Sequence, residues 1–120
     1  MMKFHNIDGL VIAEPENDDL IISGVEDAIE LLGEAGANNS GMLILKESNL
    51  HPDFFKLYTG LAGDILQKFS TYSFKLAIIG DFNKFTSKNM QDFIRECNRG
   101  NRIFFVSSFK EAVNKLSKYT

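Results

Sequence analysis

Phe74-Lys75-Leu76-Ala77-Ile78-Ile79-Gly80-Asp81-Phe82 is an apolar run that stops at a Gly-Asp turn. A run of this kind reads as a strand covered on both faces, because a strand with one wet face would alternate apolar with polar. Met42 to Lys46 and Arg102 to Val106 repeat the pattern. Helical segments separate these three strands, so parallel pairing through right-handed crossovers follows. At the N-terminus, two short apolar-rich runs, Met2 to Ile7 and Leu10 to Glu14, flank Asp8-Gly9. Both turn residues tolerate positive φ, which makes Asp-Gly a strong hairpin signal. The expected fold class is α/β: a single-layer mixed sheet of about five strands, an antiparallel hairpin plus parallel strands, flanked by about four helices.

Local signals place those helices. Ser23 and Glu26 have capping-box spacing and predict a helix from about Gly24 to Ala35, with Val25, Ala28, Leu32 and Ala35 on its buried face and Gly36 as its stop. Pro52 suits a first helical turn, and helical character extends from Pro52 to Phe69, weakened near Gly60 and Gly63. The spacing of those two glycines suggests a shared face packed closely against the sheet. Ser87 to Asn98 forms the next helix, stopped by Gly100. Ser108 and Glu111 make a second capping box, opening an amphipathic helix on Phe109, Ala112, Val113 and Leu116. No repeat, low-complexity tract or linker interrupts the pattern, so 1–120 reads as one domain.

Composition narrows the function classes. A net charge of −3 argues against a nucleic-acid partner, which calls for a basic stripe. The chain has no apolar run of about 18 residues, and polar residues interrupt the N-terminus, so neither a membrane partner nor a leader is expected. Cys97 has no second cysteine to pair with and fits a reducing cytoplasm. His5, His51 and Cys97 show no metal-ligand spacing, and Gly80-Asp81 sets a carboxylate where a phosphate cradle would need glycines. No metal or cofactor is expected.

In an open α/β sheet, ligands favour the crevice beyond the carboxyl ends of parallel strands. Topology therefore gathers Glu47, Ser48, Asn49, His51, Asp81 and Ser107 along one edge. An enzyme there would use His51 with Glu47 or Asp81 for acid–base work and Ser48 as nucleophile. Turns and helix caps demand the same residue types at strand ends. Ser107 or Ser108 suits an N-cap, Asn49 or His51 suits a cap for the segment opened by Pro52, and Asp81 suits an Asx turn. The Gly-x-Ser-x-Gly spacing of a nucleophile elbow is absent. The chain has eleven Phe and no Trp. Adjacent Phe54 and Phe55 point about 100° apart on a helix, so one narrow stripe does not easily bury both. Phe82 and Phe85 fall in a loop, where core positions are few. Phe55 and Phe82 thus join the site candidates as parts of an apolar patch at the same edge.

Pro52-Asp53-Phe54-Phe55, Thr59-Gly60-Leu61-Ala62-Gly63, Leu76-Ala77-Ile78-Ile79-Gly80-Asp81-Phe82 and Thr86-Ser87-Lys88 occur in order, and in this nearly the whole chain resembles the small bacterial domain-of-unknown-function family 4180. The resemblance implies a bacterial protein and transfers no activity. More distantly, the element order and the strand ending at Gly80-Asp81 are similar to anti-sigma-factor antagonist (STAS) domains. That likeness implies partner-protein binding and a phosphorylated serine near Ser48, although Lys46-Glu47-Ser48-Asn49 lacks the Asp-Ser-x-Gly character of that family. The expected function is a non-catalytic regulatory or protein-interaction module, binding a protein partner or itself. The alternative is a small apolar-ligand carrier using the strand-end crevice, with Asn49, His51 and Asp81 as orienting polar groups. A small hydrolase or isomerase comes third.

Overall fold

The computed structural model describes residues 2–118. Strands β1 (Met2–Ile7) and β2 (Leu10–Pro15) form the expected antiparallel hairpin, with Ile7 opposite Leu10. Asp8 and Gly9 take φ of 51° and 83° at the turn, as a tight two-residue connection requires. Beyond it come α1 (Val25–Ala37), β3 (Met42–Lys46), α2 (Leu61–Thr71), β4 (Lys75–Ile79), α3 (Lys88–Arg99), β5 (Ile103–Val106) and α4 (Phe109–Lys118). The sheet order is β1-β2-β3-β4-β5, and every pair after the hairpin is parallel. Mixed sheet, five strands and four helices agree with the sequence expectation.

Because each crossover steps to the next strand in the same direction, right-handed connections put successive helices on one face. Ala28, Leu32, Ala35, Ala62, Ile65, Phe69, Met90 and Ile94 of α1, α2 and α3 accordingly share an apolar cluster with Leu43, Leu45, Leu76, Ile78 and Phe105. The intervening strand positions, Ile12, Met42, Ile44, Ala77, Phe104 and Val106, pack with Ala112 and Leu116 of α4. Consecutive residues of β3, β4 and β5 thus enter opposite cores. That is why these strands read as unbroken apolar runs.

Several local expectations are corrected. Ser23 does not cap α1: Gly24 is the cap residue, and the Asp27 carboxylate accepts the Ser23 N–H at 2.8 Å. Gly36 lies inside α1, which runs to Ala37 with Asn38 as its cap residue. The stretch after Pro52 is not one helix. It makes two short 3₁₀ turns, Pro52–Phe55 and Leu57–Thr59, before Gly60 at φ 79° reverses the chain into α2. Gly60 and Gly63 face open space rather than the sheet. Breaking the helix also lets both Phe54 and Phe55 be buried, since a 3₁₀ turn does not impose the helical stripe. Phe109, assigned to the buried face of α4, is 39% exposed and lies edge-on to His5 with ring centroids 5.0 Å apart.

Candidate functional site

The carboxyl ends of β3, β4 and β5 carry two hollows rather than one continuous edge. The larger, of about 850 Å³, lies beyond β3 and β4. Its apolar walls come from Leu20, Leu50, Pro52, Phe55, Ile79 and Phe85, and its charged lining from Lys46, Glu47, Lys56 and Lys84. Exposed Ser48 completes it. The smaller, of about 600 Å³, is lined by Asp81, Phe82, Asn83, Gln91, Asn98, Ser107 and Glu111 among others. Gly80 borders both. Glu47, Ser48 and Phe55 therefore belong to the first hollow, and Asp81, Phe82 and Ser107 to the second.

Asn49 and His51 serve the backbone. Asn49 is 1% exposed, and its Oδ1 accepts the Lys46 N–H at 2.8 Å. Its Nδ2 donates to the carbonyls of Asn17 (3.1 Å) and Asp19 (2.8 Å). The Asn49 carbonyl takes the N–H groups of Ile21 and Ile22, each at 3.0 Å, and Ile22 forms a parallel bridge to Leu50. One buried amide thereby holds the 16–22 segment over the end of β3 and brings Leu20 to the crevice. His51 caps the turn opened by Pro52, its Nδ1 accepting the Asp53 N–H at 3.0 Å. The expected acid–base partners are engaged elsewhere: the Glu47 carboxylate pairs with Lys84, and His51 lies 3.9 Å from Asp53 Oδ2.

Gly80 shapes the boundary between the hollows. A Cβ there would stand 2.8 Å from Glu47 Oε1, 2.9 Å from Phe82 Cζ and 3.0 Å from Glu47 Cβ. With only hydrogen at that position, Glu47 folds across the end of β4 toward Lys84. Lys84 Nζ also stands 5.4 Å above the Phe85 ring, a cation–π distance. The 82–85 turn is fastened to α3 by Gln91, whose Nε2 donates to the carbonyls of Phe82 (3.2 Å) and Phe85.

The loop phenylalanines are spent on one another. Phe85 stacks on Phe55 with centroids 5.1 Å apart, and Phe82 meets Phe105 edge-on at 5.1 Å. Phe82 and Phe85 are half-buried, so they form a packed wall between the hollows, not an open patch.

In the second hollow the polar groups are similarly occupied. Asp81 Oδ1 accepts the Asn83 N–H at 3.3 Å, the Asx role anticipated for it. Ser107 donates its N–H (2.9 Å) and hydroxyl (3.1 Å) to Glu111 Oε1, while Ser108 Oγ accepts the Glu111 N–H at 3.1 Å. The capping box is thus displaced by one residue on its carboxylate side. Asn98 pairs with both backbone groups of Phe105.

Sequence reasoning missed Leu20, Lys56 and Lys84 as lining residues. Lys84 follows Asp81 by three positions in the same loop, a proximity that pointed to it. Leu20 had no local signal, because Asn49 recruits it across the chain. Lys46 lines the crevice while its Nζ pairs with Asp18 Oδ1 at 2.6 Å, a contact that raises its pKa above the ordinary value.

Among the described residues, no helix is long and apolar enough to cross a membrane. No cluster of three or more His, Cys, Asp or Glu among them could hold a metal ion. No curated protein and no solved structure matches the chain. The family described as "Domain of unknown function (DUF4180)" matches residues 7–116.

Proposed function

The chain belongs to the DUF4180 family, and we propose that it is a non-catalytic binding module whose crevice beyond β3 and β4 takes up a small apolar ligand. One observation carries this reading: a hollow of about 850 Å³ with walls built from Leu20, Leu50, Pro52, Phe55, Ile79 and Phe85. Ligand sites are concave, mainly apolar, and carry a few placed polar groups. Ser48, Glu47 and the rim lysines supply those here. The aromatic wall favours uptake into the crevice over docking on a flat patch, since Phe55, Phe82 and Phe85 already cover one another.

Titration with the neutral dye N-phenyl-1-naphthylamine tests the proposal. A single saturable site is expected, weakened about fivefold by Leu20→Ser, which removes roughly 1 kcal/mol of apolar contact from a half-exposed side chain. The melting temperature should stay nearly constant. Dye fluorescence that rises without saturation, or ignores Leu20→Ser, overturns the reading.

A second reading is a regulatory module of STAS-like character that binds a protein or a second copy of itself. Its support is Leu20, 49% exposed at the crevice, with the exposed Ser48 in the same lining. In that case the crevice receives a partner's side chain. Light scattering separates the two: a doubled mass that Leu20→Ser halves favours association, and a single-chain mass favours the carrier.

A further inference from the structure

Building on the crevice reading, we infer that the ligand is an anionic amphiphile, an apolar tail bearing a carboxylate head. The protein as a whole is acidic, at −3, yet the charged groups lining this crevice are three lysines, Lys46, Lys56 and Lys84, against the single carboxylate of Glu47. Glu47 is already committed: it pairs with Lys84 and is packed against Gly80. Its side chain is 22% exposed. The carboxylates that answer the other two lysines stand outside the lining. Asp18, paired with Lys46, is 69% exposed, and Asp53, 3.7 Å from Lys56, is 44% exposed.

Exposed ion pairs of this sort contribute about 0–1 kcal/mol, so an incoming anion exchanges with Asp18 or Asp53 at little loss. The tail would lie against Leu50, Phe55 and Phe85, and the head at the half-exposed ammonium groups of the rim. A neutral apolar ligand would use the same walls and leave the lysines idle. A cationic one would find the carboxylates beside the crevice already answered by these lysines.

Displacement of the neutral dye at pH 7.5 by decanoate, 1-decanol and decylammonium, each below its aggregation limit, separates these possibilities. Decanoate should bind more tightly than 1-decanol by up to about fivefold, the upper limit for one exposed ion pair, and decylammonium most weakly. The advantage should shrink as salt is raised, because the charges are near solvent. Lys46→Gln and Lys56→Gln should each reduce the ratio of decanoate to 1-decanol affinity. Equal or tighter binding of 1-decanol or decylammonium overturns the anionic assignment and leaves the crevice intact. An advantage unmoved by either lysine variant does the same. Failure of all three to displace the dye overturns the crevice reading as well.

Discussion

Glu47 lies across the end of β4 because residue 80 has no side chain: a methyl group on Gly80 would come within 2.8 Å of Glu47 Oε1 and 3.0 Å of Glu47 Cβ. The carboxylate could swing away from such a methyl, but its own Cβ is tied to the backbone, and the Phe82 ring is wedged on the other side at 2.9 Å. Gly80→Ala should therefore destabilise the fold by about 1–3 kcal/mol, as overpacking does. It should also weaken dye binding in the larger hollow by displacing Glu47 from Lys84. Denaturant melts and the dye titration check both, and an unchanged midpoint would show that the loop relaxes freely.

Asn49 offers the sharpest contrast between a binding and a structural role. Asn49→Ala leaves the Lys46 N–H and the carbonyls of Asn17 and Asp19 without their partner. A loss of about 1–3 kcal/mol is expected from part-buried groups left without this partner. Asn49→Asp keeps an acceptor for Lys46 but turns a negative charge toward two carbonyls, so it should be worse. An Asn49→Asp protein as stable as the parent would refute the latch.

Asp81 makes a surface turn beside the other hollow. Asp81→Ala should lower stability by at most about 1 kcal/mol, the typical worth of such a cap, and leave dye affinity as it was. A large drop in affinity would join the two hollows into one site.

The Cys97 thiol is half-buried, and burial first, with Glu96 second, pushes its pKa from 9.0 up to about 11. In the unfolded chain the thiol loses its proton near the ordinary value, whereas in the folded chain it keeps it. The unfolded state then binds fewer protons between about pH 9 and 11, so this group makes stability fall as pH rises through that window and contributes no such slope below it. Cys97→Ser should flatten that alkaline slope. Labelling of the native thiol by a disulfide reagent at pH 8 should be slow, since the thiolate is the reactive form.

Strand identity was legible because the relevant information is local. Leu43 to Leu45, Leu76 to Ile78 and Phe104 to Val106 bury consecutive residues on two faces, and no other structure suits short runs of that kind between helices. Asp8-Gly9 is equally local, as is the cap at Ser108, whose hydroxyl accepts the expected N–H group. The segment from Pro52 to Gly60 was misread as helix because its composition permits one. A positive φ at Gly60 and the burial of Phe54 and Phe55 in different directions are tertiary outcomes.

By itself the sequence determined the α/β class, the parallel pairing and the residues standing at the strand ends, because side-chain periodicity and turn chemistry act over a few bonds. Only the tertiary structure decided which of those residues share a hollow. Glu47, Ser48 and Phe55 meet Leu20 and Lys84 across intervals of 27 to 37 residues, through one buried amide at Asn49 and one bare α-carbon at Gly80. Such contacts depend on where the sheet sets the chain in space, and no spacing along the chain encodes them.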